Sequence, residues 1–157
     1  MKEAKFWEKL NDEENMNKAF ILAKEAYKNE EIPIGCIIVD KDNNVIATSK
    51  NEKQKLNNSL MHAEIIALNL AMEKLNTKYL QDYCMYVTLE PCAMCAGALV
   101  NARVGRLVYG VKEPKTGCCG SKFNLIDGQF NHTVEQKDGF LEMEIKKLLS
   151  DFFKERR

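Results

Sequence analysis

The sequence predicts an α/β protein, a three-layer α/β/α sandwich of about five strands with helices on both sheet faces. Three observations carry this prediction. Short β-rich runs alternate with stretches of helical period along the chain. Strands interleaved with helices in this way bury a sheet from both sides. No repeat, linker or low-complexity tract divides the 157 residues, so residues 1–157 are expected to form one domain.

Taken in order, Met16, Ala19, Phe20, Ala23 and Tyr27 recur with helical spacing after Asp12, a residue able to cap the start. Ile34 to Val39 reads as a buried strand. Asp42-Asn43-Asn44 is a turn signal, and Val45 to Ser49 returns as a second strand to give a hairpin. A second helix is expected from about His62 to Leu75, with Ala63, Ile66, Ala67, Leu70 and Ala71 on its packed side. Met85 to Leu89 forms a third strand whose end leads through Pro91 into a third helix. Arg106 to Tyr109 supplies a fourth strand and Thr133 to Gln136 a short fifth. Ile145, Leu148, Leu149, Phe152 and Phe153 mark a C-terminal amphipathic helix.

Composition narrows the function classes. With 45% apolar and 29% charged residues the chain has an ordinary soluble balance, and its formal net charge of zero argues against a strongly basic, sequence-blind nucleic-acid binder. A global sum still hides local patches. From Arg103 to Lys122 there are five basic residues against the single acid Glu113, and the chain ends Lys154-Glu155-Arg156-Arg157, so phosphate contacts are sought in those two stretches. Met1 to Leu10 has no apolar core of a secretory signal, and no run is long enough to span a bilayer. Six cysteines without an export signal make a disulfide framework unexpected, and the cytoplasm is the expected compartment.

The chemistry is concentrated in His62-Ala63-Glu64 and Pro91-Cys92-Ala93-Met94-Cys95. One imidazole and two thiolates suit a borderline-soft ion such as zinc, and three protein ligands on a tetrahedral metal leave the fourth position for water. The pKa of that water falls from about 15.7 to roughly 7, which provides a nucleophile at neutral pH. Cys92 and Cys95 are three apart, on one helix face, and a helix N-terminus favours their thiolates. Glu64 is left to move protons. A Cys-x-x-Cys pair alone would equally suit a redox dithiol or half of a structural zinc site. A closed site needs a fourth ligand, however, and Cys36, Cys84, Cys118, Cys119 and His132 lack tight spacing to the other three. Cys118 and Cys119 read as loop or core filling, and His132 as structural.

Together these motifs resemble the zinc-dependent nucleobase deaminases, and more narrowly the bacterial tRNA-specific adenosine deaminases. The likeness takes in Ile32-Pro33-Ile34-Gly35, Asn51, the run from Tyr86 to Ala98, Lys115-Thr116-Gly117 and the ending Leu149-Ser150-Asp151-Phe152-Phe153. It implies a cytidine-deaminase-like fold, one Zn²⁺ per subunit on His62, Cys92 and Cys95, and Glu64 as proton shuttle while water replaces the C6 amino group of a wobble adenosine. It further implies that Asn51 hydrogen-bonds the flipped purine, that Ile34 walls the pocket and that Ala63 offers its backbone N–H. The loop carrying Glu113 and Lys115 would meet the RNA, although the family usually has Asp where this chain has Glu113. Phe152 and Phe153 would pack on neighbouring nucleotides, but adjacent helical positions point roughly 100° apart, so one of them is expected in the core. The implied partners are the anticodon stem-loop of an arginine tRNA with anticodon ACG and a second copy of the chain in a homodimer. Two other readings stay open: a deaminase of a free base, nucleoside or nucleotide, and a non-catalytic zinc module that binds a partner.

Overall fold

The computed structural model describes residues 2–156; Met1 and Arg157, the last basic residue of the tail, lie outside them. A 3-10 turn, Ala4–Trp7, precedes helix α1 (Asp12–Lys28). The N-cap of α1 is Asn11, whose side-chain oxygen accepts the Glu14 N–H at 3.0 Å. Asp12, expected as the cap, is instead the first helical residue, and its carboxylate is engaged elsewhere. The hairpin strands follow as β1 (Gly35–Asp40) and β2 (Val45–Lys50), then helix α2 (Ala63–Leu75), strand β3 (Tyr83–Leu89), helix α3 (Ala93–Asn101) and strand β4 (Arg106–Val111). A long loop leads to the edge strand β5 (Glu135–Asp138) and to helix α4 (Glu142–Lys154).

The sheet order is β2-β1-β3-β4-β5. The first three strands pair antiparallel and the last three parallel, so β3 carries one neighbour of each kind. Strand alternation divides the core into two layers. Ile37, Val39, Cys84, Tyr86 and Val108 pack under α1 and α4 with Met16, Ala19 and Ile145. Cys36, Ile38, Met85, Val87 and Leu107 pack under α2 and α3 with Ala67, Leu68, Ala71, Ala96 and Leu99. The three-layer sandwich is therefore present.

Close approach is strictest where α1 crosses β1: a Cβ on Gly35 would lie 2.0 Å from the Ala19 carbonyl oxygen, so only glycine lets the helix settle there. At the other end of the sheet, Arg106 of β4 donates to both Asp12 oxygens at 2.8 and 2.9 Å. Burial works to raise the Asp12 carboxyl, but the Arg106 and Tyr86 hydrogen bonds outweigh it and hold the group below its ordinary value.

Two further expectations shift. The inward side of α2 is Ala63, Glu64, Ala67, Leu68 and Ala71, whereas Leu70 is 44% exposed. Apolar residues are so dense in this helix that periodicity cannot tell its two sides apart. Strand β5 begins at Glu135 rather than Thr133, because its pairing with β4 is set by the neighbouring strand and its own residues are polar.

Candidate metal centre and pocket

Two helix starts meet at the ends of β2 and β3. His62 is the N-cap of α2 and holds an extended backbone (φ −69°, ψ 150°). Cys92 is the N-cap of α3, just after the end of β3, and Cys95 lies within the first turn. The His62 Nδ1 atom stands 3.7 Å from the Cys92 sulfur and 3.6 Å from the Cys95 sulfur. Among the described residues these three form a cluster whose donor atoms all lie within 4.8 Å of one another. Zinc bonds of about 2.3 Å to sulfur and about 2.0 Å to nitrogen, opened to the tetrahedral angle, separate N and S by roughly 3.6 Å. The donor set and its spacing thus fit a tetrahedral ion with one position to spare.

The electrostatics agree. The Cys95 thiol hydrogen-bonded to Cys92, with help from the Met94 and Cys95 amides and despite partial burial, pulls the Cys92 thiol down to about 5. The Cys95 thiol is pushed up by that same bond and by burial. A cation between the sulfurs would favour both as thiolates.

Glu64 projects from the first turn of α2 and is buried. Burial, reinforced by the nearby Cys92 thiolate, pushes its carboxyl up to about 7, and its Oε1 has no hydrogen-bond partner among the described residues. A carboxyl that gains and loses a proton near neutrality beside a metal corner is suited to acid–base work. Spacing of two along an interior helix would separate Glu64 from His62. Because His62 is the cap and still extended, both side chains reach the same pocket.

That pocket has a volume of about 400 Å³, the size of a small-molecule site. Its walls include His62, Cys92, Glu64, Asn51, Ile34, Glu113 and Phe153. Asn51 accepts the Ala63 N–H at 2.8 Å, and the Ala63 carbonyl accepts the Ser49 hydroxyl at 2.5 Å. The Ala63 N–H is therefore not the open donor the resemblance implied: it holds the Asn51 carboxamide in one orientation, with the Asn51 amino group left for a ligand.

The aromatic pair divides. Phe152 is 4% exposed, edge-on to Tyr27 of α1 and covered by the Arg156 guanidinium 3.5 Å from its ring centre. It is a core residue in place of the nucleotide contact expected of it. Phe153 is 47% exposed and lines the pocket mouth. Arg156 also lines a second groove of about 330 Å³ that shares Ile32, Lys53 and Phe153 with the first. Lys115 is exposed on the rim loop outside the pocket wall, and its N–H donates to the Glu113 carboxylate at 3.0 Å.

Residues missed by sequence reasoning are Lys53, Glu90, Thr116, Leu149 and Ser150, all part of the pocket wall. Glu90, Thr116, Leu149 and Ser150 lie inside motifs already singled out, without a role of their own, whereas nothing local marks Lys53. His132 donates its Nε2–H to the Val104 carbonyl oxygen at 2.7 Å and is structural; Cys118 and Cys119 are buried in the core.

Comparison with known proteins bears on the whole arrangement. The family model of the MafB19-like deaminases matches residues 10–157. The chain is 42% identical over 147 residues to a tRNA-specific adenosine deaminase of Haemophilus influenzae, covering 93% of this chain and 85% of that one. A solved tRNA:A34 deaminase, from work on A-to-I editing at the wobble position of transfer RNA, superposes with a TM-score of 0.82 at 37% identity, covering 87% of this chain and 99% of the other. A guanine deaminase from Bacillus subtilis superposes with a TM-score of 0.64 at 28% identity, covering 94% of each. Likeness of this degree, extending from the metal corner to the C-terminal helix, makes this chain a member of the tRNA-specific adenosine deaminase family.

Proposed function

We propose that this protein hydrolytically deaminates adenosine to inosine at the wobble position of a tRNA, with His62, Cys92 and Cys95 holding one zinc ion per subunit. The observation that carries the reading is one continuous wall joining the metal corner to Asn51, Lys53 and Phe153. Zinc bound there supplies a water acidified to near neutrality.

Glu64 takes a proton from the attacking water and delivers it to N1 of adenine as oxygen adds to C6. The same carboxylate then takes the proton of the new C6 hydroxyl and passes it to the departing amino group, so the C6–N bond breaks, ammonia leaves and the C6 carbonyl of inosine remains. Asn51, held by the Ala63 N–H, presents its amino group to an acceptor such as the purine N7. Ile34 walls the pocket against the base. The target base must leave its stack to reach this depth, and stacking and edge hydrogen bonds stabilise it there.

Outside the pocket, Phe153 is placed to stack on a flanking base, and Lys53, Lys115 and Arg156 are placed to meet phosphates. Glu113 keeps the carboxylate usual at its position, one methylene further out. The finer readings are an arginine tRNA with anticodon ACG as substrate, a homodimer, and residence in the cytoplasm. Exposed Leu56, Leu60 and Leu70 leave apolar surface that a second copy could cover. Among the described residues no helix is long and apolar enough to cross a membrane. Core layers built from α1 through α4 on one sheet support reading residues 1–157 as one domain.

The test is inosine formation in a synthetic ACG anticodon stem-loop by the zinc-loaded protein, with free adenosine, cytidine and guanine assayed in parallel. Conversion confined to the wobble adenosine is expected. Turnover of a free base or nucleoside without RNA conversion would replace this reading by a metabolic deaminase.

A further inference from the structure

The loop from Lys112 to Val134 connects β4 to β5 with little regular structure; among the described residues its one isolated bridge joins Cys119 to Asn124. Loops of this length inside a compact fold need something to hold them. Here the anchor is Glu90, which is buried and forms no ion pair among the described residues. Its Oε1 accepts the Glu113 N–H at 3.0 Å and its Oε2 accepts the Cys119 and Ser121 N–H groups, each at 3.0 Å. The Ser121 hydroxyl donates to Oε1 as well. All four donors belong to this loop.

A second tie runs alongside. The Cys118 N–H donates to the Pro91 carbonyl at 2.9 Å, so the turn Glu90-Pro91-Cys92 that starts the metal-bearing helix also supports the loop. Gly117 packs against the carboxylate so closely that a Cβ there would lie 2.4 Å from Glu90 Cδ and 2.5 Å from the Glu113 carbonyl oxygen. The anchored segment includes Glu113 and Thr116, which stand on the pocket wall together with Glu90 itself.

We propose that Glu90 is a positioning residue for substrate recognition: its buried carboxylate fixes the 113–121 loop at the pocket mouth, and thereby sets where Glu113 and Thr116 meet the RNA. The proposal rests on the RNA-deaminase reading above. A buried carboxylate is stable here because four donors replace its hydration. Glutamine has the same shape but turns an amino group toward donors, so at least one backbone N–H loses its acceptor and the loop gains freedom. The metal ligands are untouched by that change.

The experiment is Glu90→Gln in the full-length zinc enzyme, with Ser121→Ala as a milder second variant that removes one donor from the loop side. Steady-state kinetics on the anticodon stem-loop, zinc content and amide hydrogen exchange are read for each. The expected result for Glu90→Gln is a KM raised about tenfold with kcat within about threefold of the parent, in line with the loss of hydrogen bonds to a charged group. Zinc content stays at one per chain, and the amides of Glu113, Cys119 and Ser121 exchange faster while those of β3 and β4 do not. Ser121→Ala shifts KM in the same direction by a smaller factor, which keeps the test open if Glu90→Gln fails to fold. An unchanged KM in the folded variant overturns the proposal, whatever happens to kcat or thermal stability. If the parent enzyme does not convert the stem-loop, the proposed function fails instead, and the exchange data still report on the anchor.

Discussion

The metal corner and the pocket rim are built on opposite plans. At the corner, His62, Glu64, Cys92 and Cys95 sit at two helix starts, within three residues of one another along each helix. At the rim, each segment is held by a partner remote in sequence. Glu31 accepts the Gln54 and Lys55 N–H groups, Glu90 collects the 113–121 loop, and Phe152 docks α4 against Tyr27 of α1. Chemistry here is written locally and recognition is written through long-range anchors. Damage to the first should abolish turnover, and damage to the second should weaken substrate placement or the fold that supports it.

The largest expected effect tests the corner. Glu64→Ala should lower kcat by 10³-fold or more while zinc stays bound, as checked by single-turnover inosine formation and metal analysis; an active variant would remove Glu64 from its role. Next comes an anchor far from the pocket. Asp12→Asn leaves Arg106 without its charged partner and should destabilise the protein by about 3 kcal/mol at pH 7. The Asp12 carboxyl lies below its unfolded value of about 3.9, so its contribution is complete above that pH and is lost as pH falls through the folded value. The stability gap between parent and variant, measured by urea unfolding, should therefore be constant above about pH 5 and narrow as pH falls below about 3.9. A gap constant with pH would show that Arg106 does not depend on the charge.

A smaller effect falls on the boundary between the regions. Asn51→Ala leaves the buried Ala63 N–H unpaired and removes a donor to the base, which should cost about 2 kcal/mol in kcat/KM. The smallest tests the rim alone. Phe153→Ala should raise KM for the stem-loop roughly fivefold, about 1 kcal/mol, with no change in Tm. Phe152→Ala should lower Tm, because its ring is core.

How far each region could be read in advance follows from the same contrast. His62, Glu64, Cys92 and Cys95 announce themselves by residue type and short spacing, and the strands of β-branched residues announce the sheet. Glu31 carries no such mark and Glu90, although inside the Tyr86–Ala98 run, shows no role there, since a carboxylate that binds backbone amides looks like any surface acid until the chain is folded. Asp12 suits a cap position by residue type, but its tertiary pairing with Arg106 outweighs that local preference and Asn11 caps instead. Helical spacing puts Leu70 on the packed side of α2, but Leu68 takes that place, because so apolar a helix gives the period little contrast. Helical geometry makes Phe152 and Phe153 diverge, and the position of Tyr27 decides which one turns inward.

The caps of α2 and α3 also limit how this protein can become hardier. Positions that Ser, Thr, Asp or Asn would fill, at about 1 kcal/mol each, are occupied by His62 and Cys92. Selection for heat tolerance is closed there, since any better cap discards a ligand. Variation should collect instead at Glu30 and Arg103, whose backbones turn left-handed at φ 60° and 55°. Glycine or asparagine at either would relieve roughly 1 kcal/mol; Glu30 borders the groove that holds Arg156, whereas Arg103 lines neither groove, so heat-adapted descendants should change Arg103 first.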